Sequence, residues 1–315
     1  MARKYITGVN SNTKNFKYRM LKVWLSAFRL RTLPLALSSI AMGGFLAASK
    51  GKFTGLIFFL CCLTTILLQI LSNLANDYGD SINGADNDGR KGPMRAVQSG
   101  AISAQAMKNA VILFVILCLI SGVALLLVCF GLNYQLLIVF LGLGILSIIA
   151  AIAYTVGKRP YGYAGLGDIS VLLFFGLVGV IGSNYLFTKE LSAQLILPAL
   201  TCGLFSVGVL NINNIRDIES DKKAGKNSIA VRMGKSNAAL YHWFLLIGGI
   251  ITALIYSILN YQSAFQFLFL LTTPLLIKIG LAVSNKPASE LDPYLKQMAL
   301  STLLFVVLFG VGLLV

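Results

Sequence analysis

Apolar residues run along this chain in stretches long enough to cross a bilayer, each closed off by charged or turn residues. A helix rises about 1.5 Å per residue, so roughly 20 apolar residues cover the hydrocarbon thickness. The runs predict nine helices, over 31–49, 53–75, 109–130, 133–155, 168–187, 191–213, 239–259, 262–284 and 297–315. Short connections at 50–52 and 130–133 contrast with two long polar loops, 76–108 and 214–238, so the bundle has a thin side and a thick side. The expected organisation is a basic N-terminal segment, 1–24, followed by a single all-α polytopic domain over 25–315.

Composition agrees and narrows the class. Of 315 residues 57% are hydrophobic and only 12% charged, with a mean hydropathy of +0.81. A soluble protein has about 25% charged residues, so a water-soluble globule is excluded, and disordered, collagen-like and disulfide-scaffold chains with it. All five cysteines fall in apolar runs, and no CxxC pair exists, which predicts packing roles. The N-terminus lacks a short apolar core followed by a small-residue cleavage site, so no removable signal peptide is expected.

The net charge of +15 would suggest nucleic acid in a soluble chain, but here it sorts by topology. With nine alternating spans, 22 Lys and Arg fall on the side of the N-terminus and the long loops. Only Lys50, Lys52 and Lys189 fall on the other, and Lys278 lies within a span. The positive-inside rule then places the N-terminus and both long loops in the cytoplasm and the C-terminus outside, with the bilayer as partner and no nucleic acid.

The acidic residues are more informative. Seven of eleven lie in the long loops or at the helix ends entering them: Asp77, Asp80, Asp86, Asp88, Asp217, Glu219 and Asp221. Both clusters follow an even-numbered span, and Asp77 precedes Asp217 by 140 residues. This predicts a four-helix internal repeat, helices 1–4 and 5–8 with a ninth added, which puts the clusters at equal depth on one face. Helical spacing places Asn73, Asn76, Asp77 and Asp80 on one broad face, and Asn213, Asp217 and Asp221 on one stripe.

Carboxylates at a helix C-terminus oppose the macrodipole and call for a bound cation. Isolated loop acids are commonly only solvated charges; two matching clusters are not explained that way. Hard oxygen donors without Cys or His point to Mg²⁺, which binds through a few carboxylates together with substrate phosphates. Arg90, Lys91 and Arg95 follow the first cluster, and Lys158 and Arg159 end the fourth helix on the same side. Such side chains receive phosphate oxygens. Acids and bases around one mouth, above an apolar bundle, predict a metal-bridged polyphosphate with a greasy tail. A secondary transporter also has repeats and intramembrane acids, but its coupling sites usually lie near the midplane rather than at one rim.

These residues resemble the UbiA superfamily of intramembrane prenyltransferases. The resemblance rests on Asn76-Asp77-x-x-Asp80, Tyr154-x-x-x-Lys158-Arg159 and Asp217-x-x-x-Asp221, in that order. Arg29-Leu-Arg31-Thr32-Leu33-Pro34-Leu35, the run from Gly92 to Gly100 and Asn213-Asn214-Ile215-Arg216-Asp217 are most similar to the branch acting on 1,4-dihydroxy-2-naphthoate in menaquinone synthesis. The general pattern has a third aspartate four residues after the second, where this chain has Gly84, so Asp86 is not expected as a direct ligand.

The resemblance implies a bacterial inner-membrane enzyme. Its Mg²⁺ would be held by Asn76, Asp80, Asp217 and Asp221 with Asp77 in support, and Lys158, Arg159, Arg95 and Arg29 would share the charge of a polyprenyl diphosphate. Asn73, Tyr154 and Asn213 are further substrate contacts, with Tyr163 near the acceptor. Arg216, Lys158 and Arg159 are the expected neighbours of the acceptor carboxylate. Prenylation with decarboxylation would give demethylmenaquinone, and 4-hydroxybenzoate or homogentisate are the alternative acceptors. No general base is evident, since the single histidine, His242, reads as structural.

Overall fold

The computed structural model describes residues 18–84 and 95–315. Among them there are only helices, turns and loops, and nine helices are long and apolar enough to cross a membrane. We label these α1 Tyr18–Ala48, α2 Gly55–Ile82, α3 Ala104–Phe130, α4 Tyr134–Ala153 and α5 Gly167–Thr188. The remaining four are α6 Ala193–Arg216, α7 Ile229–Leu259, α8 Ala264–Asn285 and α9 Asp292–Leu314. Asp86, Asp88, Arg90 and Lys91 lie outside the described residues.

Each expected span is present, but most are longer at the ends next to the long loops. α2 runs to Ile82 rather than 75, α3 starts at Ala104 rather than 109, α6 ends at Arg216 rather than 213, and α7 starts at Ile229 rather than 239. α1 is already helical at Tyr18, within the expected N-terminal segment. Its residues Val23, Trp24, Ala27 and Phe28 pack with α2 and α3, while Arg19 and Lys22 occupy the other face, so 18–28 is amphipathic. This helix breaks at Arg29, whose φ of 49° is left-handed, and resumes through the tight turn Leu30–Thr32.

α6 is the central helix, with 72% of its apolar window buried, whereas α4 is peripheral at 11%. α6 packs with α7, α9 and α1 in the largest core, built around Phe205, Phe305, Phe309 and Phe269. α5 approaches it at backbone contact: a Cβ on Gly176 would lie 2.7 Å from the Ala199 carbonyl oxygen and 3.1 Å from the Gly203 Cα. Small residues at such crossings replace the hydrophobic drive that lipid removes. α5 widens into π-helical turns over Leu172–Gly182, the stretch that faces the central cavity with Phe174, Phe175 and Val178. The α1–α2 and α5–α6 connections meet on one side of the bundle, where Lys52 donates to Glu190 at 2.6 Å.

On the opposite side Gly79 lets the end of α2 touch the backbone beyond α4. A Cβ there would stand 2.6 Å from Thr155 Oγ1 and 2.7 Å from its carbonyl carbon and oxygen. The contact is cemented by Asn83 donating to the Thr155 carbonyl at 2.7 Å and by Thr155 Oγ1 donating to Asn76 Oδ1 at 3.2 Å. Gly79→Ala is therefore expected to destabilise the protein by about 1–3 kcal/mol, an overpacking cost. A lower melting temperature of the detergent-solubilised variant checks this; an unchanged one would mean that the two segments can part freely.

Candidate active site

The last turns of α2 bring Asn73, Asn76 and Asp80 to a central cavity, and the side chains find partners from four other elements. Asn73 is buried and donates through Nδ2 to the Phe28 carbonyl at 3.0 Å and to Thr32 Oγ1 at 3.2 Å. Asp80 is buried, accepts from the Tyr163 hydroxyl at 2.7 Å on Oδ1, and is ion-paired through Oδ2 to Arg95. Arg95 also donates to the Asn76 carbonyl at 2.8 Å, which fixes the guanidinium against the polar face of α2. Asp77 faces away from the cavity, with Oδ2 accepting from the Ala96 backbone at 3.3 Å and Oδ1 unpartnered.

At the corresponding end of α6 the expected stripe is interrupted. The helix stops at Arg216, Asp217 has φ −100° and ψ 10°, and a short helix Ile218–Lys223 follows. Arg216 is enclosed: Nε and Nη2 donate to the two carboxylate oxygens of Asp217 at 2.8 and 2.6 Å, Nη2 also reaches Asn213 Oδ1 at 2.8 Å, and Nη1 reaches Asp292 Oδ1 at 2.5 Å. The second oxygen of Asp292 accepts from Arg31 at 2.9 Å. An ionic chain Arg31–Asp292–Arg216–Asp217 thus ties α1, α9 and α6 together.

Asp221 closes the other side. Its carboxylate is 3.7 Å from the ammonium of Lys226, its Oδ2 is buried without a partner, and Asp217 and Asp80 act on it as neighbouring charges. Burial, opposed by Lys226 and reinforced by Asp217 and Asp80, pushes its carboxyl up to about 6. Lys226 is placed by the turn at Gly225, whose φ is 70°, with the Lys226 N–H donating to the Asp221 carbonyl at 2.8 Å. The lysine acts electrostatically on Asp80 as well and lies 5.5 Å from the Tyr163 ring centre. The two acidic helix ends therefore meet around one cation, Lys226, beside Arg95.

The cavity they border measures about 460 Å³. Its polar end is lined by Asn76, Asp80, Arg95, Asn213 and Lys226, and its body by apolar groups such as Leu35, Ile40, Leu125, Phe140 and Phe175. Tyr154 and Tyr161 stand between these regions, edge to face at 5.4 Å. Burial and, for Tyr154, the charges of Asp80 and Asp168 hold both phenols protonated, so they offer π faces and hydroxyls rather than phenolates. Such a chamber accepts an elongated amphiphile with an anionic head.

Of the residues expected from sequence, Arg29, Asn73, Asn76, Asp80, Arg95, Tyr154 and Asn213 line this cavity. Asp221 borders it through Lys226. The structure does not bring the others there. Lys158 and Arg159 stay exposed beyond the turn at Gly157, Asp77 and Asp217 point to Ala96 and Arg216, and Arg216 is consumed by its own network. Lys226, Arg31, Asp292 and Lys296 were not expected; the one signal for Lys226 was its position five residues beyond Asp221 in a glycine-containing turn. Among the described residues no three Asp, Glu, His or Cys side chains converge on one point. The hard oxygens of Asn76, Asp80 and Asp221, one of them an orphaned carboxylate oxygen, suit a divalent cation that takes its remaining ligands from phosphate and water.

The chain is similar to known proteins over nearly its whole length. The chain is 50% identical over 299 residues to 1,4-dihydroxy-2-naphthoate octaprenyltransferase of Haemophilus influenzae, covering 94% of this chain and 96% of that one. It is 48% identical over 294 residues to the enzyme of the same name from Escherichia coli, covering 93% and 95%. A solved UbiA homologue from Archaeoglobus fulgidus, bound to GPP and Mg²⁺, has the same fold, with a TM-score of 0.63 at 16% identity over 94% of this chain and 100% of that one. The model of the UbiA prenyltransferase family matches residues 36–313, and the chain, a multi-pass integral membrane protein, belongs to that family.

Proposed function

We propose that this protein transfers a polyprenyl group from an allylic polyprenyl diphosphate to 1,4-dihydroxy-2-naphthoate, with loss of the acceptor's carboxylate as carbon dioxide. The observation that supports it most is the joining of two acidic helix ends and two cations at the mouth of one apolar cavity. The choice of acceptor follows the relatives of 50% and 48% identity that bear that name. The protein acts in a bacterial inner membrane with this mouth facing the cytoplasm, in keeping with the distribution of Lys and Arg.

Arg95 and Lys226 receive diphosphate oxygens, and Asn76, Asp80 and Asp221 would hold Mg²⁺. When bound, that ion neutralises the diphosphate and makes it a better leaving group. The bond from the allylic carbon to the diphosphate oxygen breaks, and its electron pair departs with diphosphate. The π faces of Tyr154 and Tyr161 border the region where positive charge then develops. A π pair of the electron-rich ring forms the new carbon–carbon bond. The carboxylate leaves as carbon dioxide, its bonding pair restoring the aromatic ring. Apolar walls keep water from the cation.

Carboxyl-labelled dihydroxynaphthoate with a long-chain prenyl diphosphate tests the reading. The expected result is release of labelled carbon dioxide and diphosphate in equal amounts, dependent on Mg²⁺. Prenylated product that keeps its label, or turnover only with a benzoate acceptor, would move the protein to another branch of the family.

A further inference from the structure

We propose that the α1/α9 wall of the cavity, with Arg31 and Lys296, is the receptor for the carboxylate of the aromatic acceptor; this rests on the reaction proposed above. A carboxylate entering a cavity with mostly apolar walls is best received by a positive partner. The three cations that motif spacing suggests are elsewhere: Arg216 is enclosed by Asp217, Asn213 and Asp292, and Lys158 and Arg159 lie exposed outside the cavity.

Arg31 faces the cavity and uses Nη1 to bind Asp292 at 2.9 Å. Asp292 is its only partner among the described residues, so one edge of the guanidinium is fixed while the rest of the planar fork is open. A fork held this way matches a second planar carboxylate. Lys296 is one helical turn beyond Asp292 on α9, lines the same cavity, and has no partner among the described residues.

The local charge balance points the same way. Among the described residues Arg29, Arg31, Arg216 and Lys296 stand with Asp217 and Asp292 on this side of the cavity, so cations outnumber carboxylates there. Both oxygens of Asp292 are bound by guanidinium groups, and the described residues place no carboxylate oxygen without a partner on this wall, unlike Oδ2 of Asp221 at the other end. This end therefore suits a monoanion without a metal, whereas the end with Asp80, Asp221, Arg95 and Lys226 suits a metal-bound polyanion. Thr32, accepting from Gln69 at 3.1 Å and from Asn73 at 3.2 Å, joins the two ends along α1 and α2.

Steady-state kinetics of the full-length protein in detergent provide the test. Wild type, Arg31→Gln and Lys296→Met are compared with 1,4-dihydroxy-2-naphthoate and with 1,4-naphthalenediol, which lacks the carboxylate, at a fixed polyprenyl diphosphate. Each variant is expected to raise KM for the carboxylated acceptor roughly tenfold, as for loss of one charge-assisted contact, with the donor KM and turnover of naphthalenediol unchanged. Lys296→Met removes no hydrogen bond or ion pair, so it serves as the second variant even where Arg31→Gln loosens the bundle. Wild-type turnover of dihydroxynaphthoate with an unshifted acceptor KM in Lys296→Met, or a rise in the donor KM instead, overturns this inference alone. A wild type that uses only acceptors without a carboxylate overturns it together with the reaction on which it rests.

Discussion

Asp80→Asn is expected to lower turnover about a thousandfold, the scale of losing a group that organises charge at a leaving phosphate, while the protein still inserts and purifies. Asp80 is the one carboxylate at which every part of the candidate site meets: Tyr163 donates to one oxygen, Arg95 pairs with the other, and Lys226 acts on it from the turn that precedes α7. Asparagine keeps the shape and one acceptor but removes the charge. Arg95 and Lys226 then lose an anionic partner and hold diphosphate at least as well, so the loss falls on kcat rather than on the donor KM. Single-turnover diphosphate release, with a melting curve to establish folding, measures it. Near-normal release at limiting Mg²⁺ would remove Asp80 from the metal site.

What could be read from the sequence was what is local. Nine spans followed from hydropathy alone, because a bilayer imposes its length on each helix separately. The acidic helix ends followed from residue type and helical spacing. The longer helix ends were missed because polar residues continuing a helix have the composition of a loop; α2 keeps its winding past Asn76 to Ile82, where its polar face meets Arg95, Thr155 and Tyr163.

Partners distant in sequence were not legible either. Arg31 and Asp292 are 261 residues apart, and only the fold places them 2.9 Å from each other. Spacing predicts that Arg216 is near Asp217 but not that the arginine turns back onto it and stays out of the cavity lining. Adjacency misled at Lys158 and Arg159, which follow Tyr154 closely in the chain yet are carried outward beyond Gly157. Lys226 lies where they were expected, since a left-handed turn at Gly225 folds it onto Asp221.

Asp217 and Asp221 belong to one motif, and their asparagine variants are expected to fail in different ways. Both carboxylate oxygens of Asp217 accept from Arg216, whose side chain is 1% exposed, and Arg216 in turn holds Asp292 on α9. Asp217→Asn leaves a buried guanidinium without the carboxylate that binds it through both oxygens, a loss on the order of 3 kcal/mol when one partner of a buried pair is removed. The junction of α6 with α9 loosens, so melting temperature and turnover fall together. Asp221 is held by a single ion pair at 3.7 Å, and its Oδ2 is buried without a partner. Neutralising a carboxylate placed this way removes little native contact, so Asp221→Asn is expected to melt no lower than wild type while losing nearly all turnover. Differential scanning of both variants in detergent, beside single-turnover assays, separates the two roles. Equal loss of stability would show that both aspartates only brace the helix end. A stable but inactive Asp217→Asn would return Asp217 to the set of metal ligands, with Arg216 yielding its place when the ion binds.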